Sequence, residues 1–221
     1  MNLPTIIVNF KTYEKASGDA ARDLAFKCEK SAKETDKEIG IAVQNADIQR
    51  ISSKVDIPVF AQHVDPVDFG SNTGSDLAHT IAYNGADGVI INHSEDQMPL
   101  DDIKTVIKHC HDEGLETLVC VDEPGLARRV AALEPDMIAF EPPELIGGDT
   151  SVTDAEPDLI KETLHNIREK RDVPLLVGAG IKDADDVETA RDIGTRGVLI
   201  ASGVIKADDQ RSVLEDLASS L

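Results

Sequence analysis

Residues 88–95 read Gly88-Val89-Ile90-Ile91-Asn92-His93-Ser94-Glu95, a short aliphatic run that stops abruptly in side chains able to hydrogen-bond, ionise or both. The run is apolar at successive positions rather than at alternate ones, so it suits a strand covered by helices on both faces. The same pattern recurs to either side, at 5–9, 39–43, 59–62, 117–121, 137–140, 174–177 and 197–201, which makes 88–92 the fourth of eight strands. Longer amphipathic stretches separate them. Ser17 opens one that carries Leu24 and Cys28 on one side, Pro99 stands where another begins, and Asp183 precedes the amphipathic segment 187–193. Strand and helix in regular alternation imply a parallel sheet. No Pro/Gly/Ser-rich linker or shift in composition divides the chain, so residues 1–221 are expected to form one domain. Eight units in series can close into a (β/α)8 barrel, with an open doubly wound sheet as the lesser alternative.

Composition agrees with that class. The chain of 221 residues is 41% hydrophobic but only 3% aromatic, so its core must be built from Ile, Val, Leu and Ala, the residues of buried parallel strands. A formal net charge of −20 disfavours nucleic acid as a partner and points to an acidic surface suited to concentrated salt, where screening over about 3 Å at 1 M suppresses self-repulsion. Cys28, Cys110 and Cys120 are odd in number and lack metal-ligand or redox spacing, so they read as buried or incidental thiols. No apolar run approaches a membrane span, and no basic segment followed by an apolar one marks a signal peptide; a cytoplasmic protein with no membrane partner is expected. No metal centre is expected either, since His109 and His111 stand two apart on a helical stretch and face different ways.

In a barrel the chemistry sits at the carboxyl ends of the strands, which directs attention to the polar residues after each apolar run. Strand 1 ends in Asn9-Phe10-Lys11, strand 4 in Asn92-His93-Ser94-Glu95, and strand 6 in Glu141-Pro142-Pro143-Glu144. The turns Gly178-Ala179-Gly180-Ile181 and Ala201-Ser202-Gly203-Val204 follow strands 7 and 8, where barrels commonly hold phosphate on backbone amides. As a dinucleotide fingerprint the first turn fails, because Asp183 occupies the place of the third glycine. Singly, Lys11 reads as a loop lysine, His93 as a strand-end histidine and Glu141 as a loop acid. Only the barrel brings them to one mouth.

These segments, with Ala61-Gln62-His63-Val64, Thr73-Gly74 and Glu144-Leu145-Ile146-Gly147, form an ordered set that resembles the triosephosphate isomerase family, in particular its shorter archaeal form. The resemblance covers nearly the whole chain. It implies a TIM barrel that interconverts dihydroxyacetone phosphate and glyceraldehyde 3-phosphate with no cofactor. It implies Glu141 as the base, His93 as the electrophile, Lys11 as the cation and Asn9 as a positioning donor. Gly180, Ala201 and Ser202 would hold the phosphate, Glu95 would hold the lysine, and 142–149 would be a lid closing through Ile146 and Gly147. Gly148-Asp149 departs from the archaeal pattern at the closing end of that lid. Cys120 and Glu123 resemble a family Cys-x-x-Glu segment in a supporting role. Thr73 would enter a neighbouring subunit, which implies a homo-oligomer, a tetramer in preference to a dimer. Another phosphosugar isomerase on the same barrel, or a binding protein that has lost turnover, is the competing reading.

Overall fold

The computed structural model describes residues 1–142 and 157–221, and these build a closed barrel of parallel strands in the order β1-β2-β3-β4-β5-β6-β7-β8. The strands are β1 (Thr5–Asn9), β2 (Glu38–Val43), β3 (Val59–Ala61), β4 (Gly88–Ile91), β5 (Glu116–Val121), β6 (Met137–Phe140), β7 (Leu175–Val177) and β8 (Gly197–Ile200). All eight fall on the expected runs, with ends shifted by a residue at most. Between and after them lie α1 (Asp19–Thr35), α2 (Ile48–Ser52), α3 (Ala78–Tyr83), α4 (Leu100–Asp112), α5 (Pro124–Ala131), α6 (Pro157–Arg168), α7 (Ala184–Ile193), α8 (Ser202–Ile205) and α9 (Gln210–Ser219).

Two apolar layers explain why the strands are apolar at successive positions. Ile7, Ala42, Phe60, Ile90, Leu118, Ala139, Leu176 and Leu199 fill the barrel, while their neighbours, such as Ile6, Val8, Val89, Val119 and Ile138, face the helices. A strand residue therefore finds an apolar partner whichever way it points, as the period-two geometry requires. The ring closes where β1 pairs with β8, Thr5 opposite Gly197. A Cβ on Gly197 would lie 2.1 Å from the Thr5 carbonyl oxygen, and its φ is 140°, so this seam admits only glycine.

The helix starts are mostly as expected. Pro99 immediately precedes α4, and Asp183 caps α7 by accepting a hydrogen bond from the Asp186 amide at 3.2 Å. Ser17 is a correction: α1 starts at Asp19 after Gly18, whose φ is 59°, and the Ser17 hydroxyl donates to the Tyr13 carbonyl while accepting from Gln44. Leu24 and Cys28 are nonetheless buried on its inner side. The adjacent acids Asp185 and Asp186 differ in their surroundings. Asp185 is exposed, whereas Asp186 is buried and accepts the Lys182 amide at 2.9 Å, tying the β7–α7 turn to the helix it leads into.

Candidate active site

Glu141, His93, Lys11 and Asn9 line one pocket at the carboxyl ends of the strands, together with the backbone turns 178–181 and 201–203. It encloses about 530 Å³, counting the part open to solvent. Gly180, Ala201 and Ser202 all border it. Glu95 borders Lys11 instead and is largely exposed, and Thr73 lies exposed in the β3–α3 segment, outside this pocket. Ile146 and Gly147, with Glu144, Gly148 and Asp149, fall outside the described residues.

The lysine arm is held in an unusual backbone state. Lys11 has φ of 46°, a region costly for a residue with a Cβ. Three contacts stabilise it. The Asn9 carboxamide oxygen accepts the Lys11 amide at 3.0 Å, the Gln62 amide donates to the Lys11 carbonyl at 3.2 Å, and Glu95 Oε1 receives the ammonium at 2.9 Å. Gln62 also donates to the Ala42 carbonyl at 3.1 Å, so it fastens the loop after β1 to strand β2. Gln62 was not among the residues expected to act at the site. Its position directly after β3 was the signal, because every strand end in a barrel faces the same mouth.

Asn92 plays the same anchoring part beneath the histidine. Its φ is 59°, its side-chain amide donates to the Cys120 carbonyl at 2.8 Å, and its oxygen accepts the Met98 amide at 2.9 Å. His93 then follows on a fixed turn, 7% exposed. The Glu95 backbone amide points at His93 Nδ1 from 3.1 Å. A backbone N–H can only donate, so Nδ1 is the acceptor and the neutral ring carries its proton on Nε2. That Nε2 lies 3.4 Å from Glu141 Oε1.

Glu141 is 4% exposed, at the end of β6. Burial pushes its carboxyl above the ordinary carboxylate range, opposed by the nearby His93, the Ser94 amide, the Cys120 thiol and Lys11. Its Oε2 has no hydrogen-bond partner among the described residues. A desolvated carboxylate with an unpartnered oxygen, in a side chain that lines the pocket, is a ready proton acceptor. Cys120, buried beside it, has its thiol pushed up by burial and by the Glu141 charge, and Cys28 and Cys110 are pushed up to about 12 by burial, so none of the three is a ready nucleophile. Across the pocket, the amides at the start of α8 have no carbonyl four residues back within the helix, and Gly180 turns with φ of 72°. The far wall therefore offers backbone N–H groups.

The sequence matches the family model described as triosephosphate isomerase over residues 4–219. Triosephosphate isomerase of Methanothermus fervidus is 42% identical over 222 residues, covering 100% of both chains. That of Methanocaldococcus jannaschii is 44% identical over 213 residues, covering 96% of this chain and 97% of the relative, and that of Saccharolobus solfataricus is 41% identical, covering 100% and 97%. The crystal structure of triosephosphate isomerase from Bartonella henselae superposes with a TM-score of 0.76 over 95% of this chain and 97% of the other at 19% identity, a likeness of fold alone. With the family model spanning nearly every residue and archaeal relatives above 40% identity end to end, the chain belongs to the triosephosphate isomerase family of isomerases.

Proposed function

We propose that Glu141 is the base that moves the proton when this isomerase interconverts dihydroxyacetone phosphate and D-glyceraldehyde 3-phosphate, with His93, Lys11 and Asn9 acting on the substrate oxygens. The observation that carries this reading is the buried Glu141 carboxylate, facing the Nε2 of a neutral His93 across 3.4 Å in a pocket walled by backbone amides. Glu141 takes a proton from the carbon beside the carbonyl. The electron pair moves onto the carbonyl oxygen, where the Nε2–H of His93 and the Lys11 ammonium stabilise the negative charge of the enediolate. The proton of the adjacent hydroxyl moves to that oxygen, and Glu141 returns its own proton to the neighbouring carbon, which completes the exchange. The pairing of a carboxylate base with a neutral imidazole is the established division of proton-transfer roles in this family. Gly180, Ala201 and Ser202 hold the phosphate through their turns, and Ile146 and Gly147 close over it. Glu95 keeps Lys11 aimed inward.

Dihydroxyacetone phosphate offered in deuterium oxide tests the base mechanism. The glyceraldehyde 3-phosphate formed should carry solvent deuterium at the carbon that receives the proton. Turnover with no deuterium incorporated would exclude a base that exchanges with solvent.

The same reading takes the whole chain, 1–221, as one domain working in the cytoplasm of a halophile, supported by its charge of −20. It also takes the chain as a homotetramer rather than a dimer. Phe69 is 74% exposed and Tyr83 80% exposed, in and just after the segment that carries Thr73, which is costly for aromatic side chains unless another surface covers them. Light scattering should find a tetramer, and an active monomer at working concentration would remove this part of the reading.

A further inference from the structure

Gly178 belongs to a turn whose glycines are expected to admit phosphate, yet its open side faces elsewhere. A Cβ built on Gly178 would lie 2.5 Å from Glu141 Cγ, 3.3 Å from its Cδ and 3.2 Å from its Oε1. By contrast, a Cβ on Gly203 would meet nothing nearer than the Ile181 carbonyl oxygen at 3.7 Å. Nor does backbone conformation demand glycine at 178, since the positive-φ glycine of this turn is Gly180. What requires glycine there is the volume occupied by the middle of the Glu141 side chain.

We infer that Gly178 is a positioning residue for Glu141: its bare Cα is the seat on which the Glu141 side chain lies, and any side chain there displaces the carboxylate from the pocket. This rests on the reading of Glu141 as the base. Both backbones are pinned to the sheet, the Gly178 amide to the Phe140 carbonyl at 2.8 Å and the Glu141 amide to the Val121 carbonyl at 2.8 Å. A collision between them is therefore relieved by rotating the Glu141 side chain, not by moving a strand. The methyl group of Gly178→Ala is small, but Cγ is an inner atom of the side chain, so the whole carboxylate must swing with it.

The test is a cycle of Gly178→Ala with Glu141→Ala, which lacks the Cγ. In the parent background Gly178→Ala should lower kcat by about 10²-fold, within the range of a lost general base, while KM for glyceraldehyde 3-phosphate and competitive inhibition by inorganic phosphate stay within about threefold. The acid limb of its kcat/KM profile should move to lower pH, because a carboxyl displaced into water loses the burial that holds it up. In the Glu141→Ala background the same substitution should leave the melting temperature and residual turnover unchanged, since the colliding atom is gone. If the single variant does not fold but the double variant does, the collision is confirmed. Near-normal kcat in Gly178→Ala, or an equal loss of stability or folding in both backgrounds, overturns the inference and makes Gly178 a need of the strand itself. The two readings separate cleanly. Normal turnover in Glu141→Gln removes the base, whereas its loss alongside a normal Gly178→Ala removes only the seat.

Discussion

The two halves of the barrel mouth are built in opposite ways. On the side formed by β1 to β4, the groups around Lys11 and His93 are spent on one another, Asn9 on the Lys11 amide, Gln62 on two carbonyls, Asn92 on Cys120 and Met98, and the Glu95 amide on His93, while Asn45 Oδ1 and Ser94 Oγ are buried without a partner among the described residues. On the side formed by β6 to β8, groups are held in place with capacity left over. Glu141 Oε2 is buried without a partner among the described residues, and the residues that begin α8, whose amides have no carbonyl four residues back within the helix, line the pocket. The first half is preorganised by its own hydrogen bonds, which keeps a strained lysine and one histidine tautomer in place before substrate arrives. The second half is completed by what binds. Preorganised donors and an unspent base divide the work of proton transfer between a rigid wall and a receptive one.

The largest expected effect breaks the receptive side. Glu141→Gln keeps the shape of the side chain and removes proton acceptance, so turnover in a coupled assay with glyceraldehyde 3-phosphate should fall by about 10²-fold to 10⁴-fold or more, with inorganic phosphate still inhibiting. Glu144→Gln, three residues on, should cost much less. If Glu144→Gln is the more damaging in kcat, the division between the halves is drawn in the wrong place.

A smaller effect tests the rigid side. Gln62→Ala removes two hydrogen bonds that hold the Lys11 backbone at φ of 46° without touching the pocket's acid or imidazole. At roughly 0.5–1.5 kcal/mol for each bond, relaxation of the loop should lower kcat/KM by about tenfold. The acid limb of its pH profile should stay where it is, because Glu141 keeps its surroundings. A tenfold loss accompanied by a shifted limb would mean that the halves are coupled more tightly than their separate bonds suggest.

Salt asks whether either half matters to the fold as a whole. The Lys11–Glu95 pair sits at the rim with Glu95 60% exposed, and most of the other ion pairs are on the surface. They contribute little and are screened, so molar salt should cost them little. Relief of self-repulsion among the excess acids should dominate instead. Unfolding midpoints measured from low to molar potassium chloride should rise steeply, and a flat profile would remove the halophilic reading while leaving the mouth untouched.

How much of this was legible in the sequence follows from how local each cause is. The strands were, because a residue apolar on either face announces a covered sheet without reference to any partner. Asp183 was, because a cap acts within its own turn. Glu141, His93, Lys11 and Asn9 were placed together by the rule that barrel strand ends share a face, and the pocket does bring them together. Gln62, Asp186 and Gly178 were not. Gln62 finds its carbonyls on strand β2 and in the loop after β1, and the atom that makes Gly178 necessary belongs to the residue that follows the neighbouring strand β6. Asp186 acts locally, but three acids within four residues do not reveal which one turns inward.

The smallest effect sharpens the comparison by measuring what the receptive side costs the fold. Glu141 has its carboxyl raised in the folded protein, chiefly by burial, so between its unfolded and folded values the native state binds more protons than the unfolded one. Stability then falls as pH rises through that interval and stays lower above it. The burden is absent below the ordinary glutamate value of about 4.3 and fully present once pH exceeds the raised folded value. Glu141→Gln carries no such charge. Melting curves should therefore show the variant more stable than the parent at neutral pH, with the difference shrinking as pH falls toward 4. If Glu141→Gln is less stable than the parent at neutral pH, the carboxylate is held by stronger contacts than the structure shows, and the receptive half is as fully bonded as the rigid one.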